Sequence, residues 1–288
     1  MVRSLSSGIS GIQQFQESMD VIGNNIANVN TTGFKSSRVD FADSFSETLR
    51  ASSGAVGTSS ATPAIQVGSG VTTTAIKNMY TQGGLTRTGY PTDLAITGEG
   101  FFVVKDSVTN AQFATRSGDF RIDANGFITT NTGLHVQGYS DSALTTVGDV
   151  VVDGADRPLT SDPAAVMTSY SIDNEGRVKV KLSDGSEYVR GQILLQKFLD
   201  PQALTKEGAN LYSGIGAAGP LGTPTAPQAA AAGTNGLGRI ESGMLELSNV
   251  DLANEFTNMI TTQRAFQASA RVITTSDEML QELVNLKR

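Results

Sequence analysis

Cysteine is absent from the 288 residues, and so is tryptophan. The first absence excludes disulfides, thiol nucleophiles and zinc–thiolate sites. Histidine occurs once, at His135. A Ser-His-Asp system or a His-based metal site would have to run through that residue. It lies in Gly133-Leu134-His135-Val136-Gln137-Gly138, an alternating stretch between glycines that reads as a strand. Charge is also scarce, at 17% of residues, and acidic residues outnumber basic ones by 28 to 21, for a net charge of −7. A nucleic-acid binder needs a basic stripe that this balance does not provide. Long apolar runs are missing too. The longest string of large apolar residues is Phe101-Phe102-Val103-Val104, far short of the roughly 20 residues that span a membrane. Ser4, Ser6, Ser7, Gly8, Ser10 and Gly11 interrupt any signal-peptide core, so neither membrane insertion nor a cleaved secretory signal is expected.

Glycine, by contrast, is plentiful at 31 residues. Between about residues 77 and 212 it punctuates short alternating segments. Asp123-Ala124-Asn125-Gly126, Asp173-Asn174-Glu175-Gly176 and Asp184-Gly185 read as hairpin turns. None has the spacing of a calcium loop with its distal Glu. Gly98-Glu99-Gly100 lacks the third glycine of a phosphate cradle and leads into a strand. No catalytic residue, metal or cofactor is therefore expected.

The two ends follow a different period. Leu5, Ile12, Met19 and Ile26 stand seven apart, with Gly8, Phe15, Ile22 and Val29 as a second row in which Gly8 is a defect. Asn24, Asn25, Asn28, Asn30 and Gly33 supply stop chemistry. Toward the other end, Leu245, Leu252, Met259, Phe266, Ile273 and Leu280 form one row, flanked by Phe256 and Val284, with Gln263 and Ala270 as a weak second row. Ser248 or Asn249 is the expected N-terminal cap, and Lys287 and Arg288 suit the dipole at the far end. A helix of some 35 residues is about 50 Å long, more than the roughly 35–45 Å of a domain built from the remaining residues. So long a seam wants a second helix, and the other terminus is the candidate.

The uncharged segments 51–76 and 208–238, the latter rich in Ala, Gly and Pro, read as extended or flexible connectors. The expected fold is α+β: long N- and C-terminal helices paired as a coiled-coil stalk, with an inserted β-rich domain. The parts are 1–34 (stalk helix), 35–76 (extended connection), 77–212 (β-rich domain), 213–240 (flexible linker) and 241–288 (stalk helix). Such stalks are usually assembly devices. The seam residues expected to drive assembly are Leu5, Ile12, Phe15, Met19, Ile22, Ile26, Leu252, Met259, Phe266, Ile273 and Leu280. They are expected to fold fully only on polymerisation.

Particular residues carry a family resemblance. Ser7-Gly8-Ile9-Ser10-Gly11, followed by Asn24-Asn25-Ile26-Ala27-Asn28 and by Gly33-Phe34-Lys35, resembles the N-terminal signature of bacterial flagellar rod and hook proteins. Asp93–Phe102 and Thr115–Phe120 resemble the family's central motifs, and Glu246–Leu252 with Gln263–Ala268 its C-terminus. The match is close over about residues 1–45, 80–135 and 240–288 and loose over 140–235. The resemblance implies an axial tube subunit with no enzymatic activity, exported through the flagellar export apparatus without a cleaved signal and located in the flagellum outside the cell. It implies first a hook subunit, a flexible joint that carries motor torque. The implied partners are copies of itself, the distal rod protein, the hook-capping protein and the hook–filament junction proteins. The alternative within the family is the distal rod protein; the uncharged 51–76 stretch resembles an insert of the rigid rod in some bacteria. A phage-tail or adhesin-like stalk would share the plan without the signature.

Overall fold

The computed structural model describes residues 2–52, 54, 63–153, 165–221, 228–229 and 236–286. The chain forms two compact units. One contains the residues up to Asn28, Ser36–Met79 and the chain from Val250 onward; the other contains Val29–Lys35 and Tyr80–Asn249.

The first unit holds two helices, α1 (Val2–Ala27) and α2 (Leu252–Leu286). α2 starts later than the heptad row suggests. Leu245 lies in a strand, Met244–Glu246, because the chain there pairs with Leu85–Arg87. The cap is Asp251, not Ser248 or Asn249: its Oδ1 accepts from the Ala253 amide at 2.9 Å, satisfying a donor that the first helical turn leaves free. Lys287 and Arg288 lie outside the described residues.

Between the helices in sequence, the stretch expected to be a bare connection folds as a two-stranded ribbon. Ser37–Asp43 pairs antiparallel with Val71–Asn78, and Ser46–Arg50 pairs with Ile65–Gly68. The run Val71-Thr72-Thr73-Thr74-Ala75-Ile76 is uncharged because it is β-branched strand, not because it is linker. Residues 53 and 55–62 of this stretch lie outside the described residues.

The second unit is almost entirely β. Its main sheet runs Met167–Ile172, Arg177–Leu182, Glu187–Gln196, His135–Tyr139, Phe101–Lys105, Gln112–Thr115, Leu211–Ser213 and Thr205–Gly208, with each of these neighbours antiparallel to the next. Alternation along Phe101–Lys105 divides the core. Phe102 and Val104 enter a large cluster with Leu94, Val136, Val180 and Ile193, whereas Phe101, on the opposite face, joins Phe198, Leu204 and Tyr212. The Ala/Gly/Pro segment expected to be a flexible linker belongs largely to this unit. Ile215, Ala218, Leu237 and Ile240 are buried, and Arg239–Ser242 pairs with Leu94–Thr97. Small residues pack closely beneath a sheet, and composition alone cannot tell that from a tether. Residues 222–227 and 230–235 of the segment lie outside the described residues. The β unit therefore runs to Asn249 and includes Val29–Lys35, beyond the expected 77–212.

His135 sits in a strand, stacked on Phe127 with ring centroids 4.7 Å apart, and its Nδ1 lies 2.8 Å from Asp149 Oδ2. Burial works to raise the Asp149 pKa, but hydrogen bonds from His135 and Gln137 outweigh it and hold the carboxyl below its usual range. A depressed carboxylate stabilises the fold above its unfolded pKa of about 3.9, and that stability is lost as pH falls through the folded value. Between about pH 5 and pH 3 the wild-type urea midpoint should fall more steeply than that of Asp149→Asn. Parallel curves would contradict this role for the pair. A second expectation concerns sheet register. A Cβ on Gly138 would stand 2.1 Å from the Gln192 carbonyl oxygen, while one on Gly84 would meet nothing within 4 Å. Gly138→Ala should cost about 2–3 kcal/mol in urea unfolding, and Gly84→Ala less than about 0.5 kcal/mol.

Candidate assembly site

The helices of the first unit pack side by side and antiparallel. Ser4 Oγ lies 3.3 Å from Ser276 Oγ, and Asn25 Nδ2 donates to Glu255 Oε1 at 3.3 Å, so partners fall along α2 as they rise along α1. The shielded stripe on α2 is Glu255, Met259, Thr262, Phe266, Ser269, Ile273, Ser276 and Leu280, alternating four and three apart. Four of the five α2 seam residues expected from sequence lie in it. Leu252 does not; it is exposed in the first turn. The second row is Glu255, Thr262, Ser269 and Ser276; of the expected second row, Ala270 is half-buried beside it and Gln263 is exposed. Short polar side chains serve here because α1 comes close: a Cβ on Gly8 would stand 3.1 Å from Ile273 Cγ1, and one on Gly11 3.1 Å from Ser269 Oγ. Gly8, a defect in a heptad pattern, is thus a point of close helix approach.

On α1, Ile22 is buried and Leu5, Ile12, Phe15, Met19 and Ile26 are half-buried. This face is wider than one seam because the ribbon also packs on it. Phe15 meets Phe41 edge to face at 6.3 Å, and the Val71 amide donates to Ser10 Oγ at 3.4 Å. Large apolar side chains nevertheless remain exposed along α2, among them Phe256, Ile260, Val272, Met279, Leu283 and Val284.

The Asn24–Lys35 signature divides between the units. Asn28 closes α1, its Nδ2 donating to the Asn24 carbonyl at 2.9 Å. Asn25, buried, pairs its side-chain amide with one backbone residue: Nδ2 donates to the Ser37 oxygen at 2.8 Å, and the Ser37 amide donates to Oδ1 at 2.9 Å. One side chain thereby fixes the end of the helix against the start of the ribbon. Ala27 is exposed, and no interaction of its side chain explains its place in the signature.

Gly33, Phe34 and Lys35 lie in the β unit. Gly33 has φ +69°, and a Cβ there would stand 2.6 Å from the Ser117 nitrogen, so glycine is required both by conformation and by space. Phe34 is buried with Lys206 Nζ 4.8 Å from its ring centroid. Lys35 is fully buried. Its Nζ donates to Glu246 Oε1 at 2.6 Å and to the Thr81 carbonyl at 2.7 Å. Glu246 also accepts from the Gly83 amide at 2.9 Å and from Arg116 Nη1 at 3.3 Å, while Arg116 Nη2 donates to the Gly98 carbonyl at 2.9 Å. Burial pulls the Lys35 pKa below its usual value against the attraction of Glu246. Glu246 and Arg116 are buried ion-cluster residues that the sequence patterns do not single out, although both stand inside segments that carry the resemblance. The signature, the Thr115–Phe120 motif and the Glu246–Leu252 motif meet at this one point.

Glu246→Gln would leave two buried cations without their anion. It should destabilise the β unit by about 3–5 kcal/mol, read by urea unfolding of the full chain through near-UV circular dichroism. A loss below about 1 kcal/mol, the size of a surface pair, would contradict the buried geometry.

Three family profiles match along the chain. Residues 5–35 match "Flagella basal body rod protein", 95–180 match "Flagellar hook protein FlgE/F/G D1 domain", and 241–286 match "Flagellar basal body rod FlgEFG protein C-terminal". The flagellar basal-body rod protein FlgG of Bacillus subtilis is 41% identical over 288 residues, covering 100% of both chains. FlgG of Borreliella burgdorferi is 34% identical over 294 aligned positions, again covering 100% of both. The flagellar hook protein FlgE of the same organism is 26% identical over 449 positions, also end to end. The hook alignment thus contains 161 positions with no counterpart in this chain, the rod alignment six. Matched over its full length by such relatives, the chain belongs to the flagellar basal-body rod and hook protein family.

Proposed function

We propose that the chain is a structural subunit of the distal rod of the bacterial flagellum, exported without a cleaved signal and polymerised into a tubular shaft. The sequence resemblance put the hook first and the rod second. The full-length alignments reverse that order, and they are the observation that carries the proposal. The rod relatives align end to end over nearly the same length, whereas the hook relative needs a large amount of additional chain. With the hook reading displaced, the hook-capping and hook–filament junction proteins leave the set of proposed partners. Copies of the chain itself and the export apparatus remain.

The ribbon supports a polymeric role. Ile65 and Val67 share one face, Glu47 stands opposite Val67, and Phe45 and Leu49 flank Glu47; all four apolar side chains are exposed. A two-stranded ribbon is marginal in water by itself, and an exposed apolar face of this kind marks a contact surface. In a shaft made of many copies, neighbouring subunits would cover it and stiffen the wall. α1 and α2, as a coiled-coil stalk, would present the exposed apolar residues of α2 to further copies. Among the described residues no helix is long and apolar enough to cross a membrane.

Complementation distinguishes the two readings. Expressed in a strain lacking its rod protein FlgG, the chain should restore motility, while a strain lacking the hook protein should stay non-motile. The reverse pattern would return the chain to the hook. Within the polymer, Phe266→Asp or Ile273→Asp places an ionised carboxylate on the shielded α2 stripe at a cost of several kcal/mol per subunit. Polymer yield by sedimentation should collapse while melting of the β unit is unchanged. Arg264→Ala and Gln267→Ala, at exposed positions, should polymerise nearly normally.

A further inference from the structure

The buried cluster holds two cations, Lys35 and Arg116, and one carboxylate, Glu246, so it carries one uncompensated positive charge. Arg116 is 3% exposed, and its Nε finds no acceptor among the described residues. The same arginine lines a cavity of about 240 Å³ walled by Tyr80, Phe101 and Phe198, with Glu99, whose carboxylate also acts on Arg116, and Leu199 at 74% exposure at its edge. Its guanidinium lies over the Phe101 ring at 5.2 Å. Lys197, also lining the cavity, is already paired with Glu99 at 2.5 Å and cannot be counted as a free cation. A buried donor without an acceptor is costly, and a buried charge in excess even more so. The excess charge would be answered by one anion beside the guanidinium.

The geometry points to this cavity as a binding site for a monocarboxylate with an apolar body, its oxygens taken by Arg116 and its body held among the three aromatic rings. A single excess charge suits a monoanion better than a dianionic phosphate, whose second charge would be stranded in an apolar pocket. The planar carboxylate matches guanidinium geometry, and ring edges, which carry positive potential, favour an anion beside them. The carboxylate has two possible sources: a free small anion, or an Asp or Glu side chain presented by a second copy of this acid-rich chain. The inference stands on the cavity and does not require the rod reading.

Benzoate is the probe, with benzamide as the uncharged control, both titrated into the dilute full-length chain at constant ionic strength. Benzoate should raise the melting temperature of the β unit saturably and shift the NMR resonance of the Arg116 Nε–H, and benzamide should do neither. Leu199→Trp, which narrows the cavity without touching the charged cluster, should weaken benzoate at least about tenfold, with the unliganded melting temperature unchanged. Equal effects of benzoate and benzamide, no saturable effect, or full binding by Leu199→Trp would overturn the proposal. Polymerisation under saturating benzoate then separates the sources. Inhibition assigns the site to a side chain of a second copy, and unimpaired assembly assigns it to a free anion; either outcome requires the site to exist.

Discussion

One buried ion cluster, Lys35 with Glu246 and Arg116, determines how the β unit holds its chain. Lys35 ends the short Val29–Lys35 segment that follows α1, and Glu246 ends the last strand before α2. Their 2.6 Å contact, reinforced by the Gly33 amide donating to the Glu246 carbonyl at 2.8 Å, brings the incoming and outgoing segments together inside a single fold. A buried charge pair is a poor source of net stability, since desolvation consumes most of its attraction. Its value is specificity. An apolar replacement could fill the space, but only a matched acid and base penalise any arrangement in which one segment is missing or shifted.

Asn25 plays the corresponding part in the helical unit. Its amide copies a ladder hydrogen-bond pair onto Ser37 and reaches Glu255 on α2, tying helix, ribbon and helix at one buried side chain. The signature therefore works at two places. Asn25 and Asn28 organise the end of α1, and Gly33 and Lys35 anchor the chain in the β unit.

Much of this was legible in the sequence. The seven-residue rows locate both helices and half of the α2 stripe, and the Asp-Gly and Asn-Gly turns locate hairpins. What escaped was long-range pairing. Gly8 looks like a defect until Ile273 is placed across from it. The uncharged 51–76 and 208–238 stretches look like tethers because strands and packed small residues can lack charge as completely as linkers do. Glu246 and Arg116 lie 130 residues apart, and no local pattern marks one as the other's partner. Seven-residue spacing alone does not find the second α2 row, because close helix approach there selects Ser and Thr, which carry no apolar signal.

The dependence on the cluster is tested most directly by a double-mutant cycle between Lys35 and Glu246, using Lys35→Met, Glu246→Leu and the pair, with urea unfolding of the β unit as readout. A coupling of about 2–3 kcal/mol, with the double variant losing much less than the sum of the singles, is the result this account predicts. Additive losses within about 0.5 kcal/mol would show that the two residues act independently, and would contradict the claim that their pairing holds the two chain segments together.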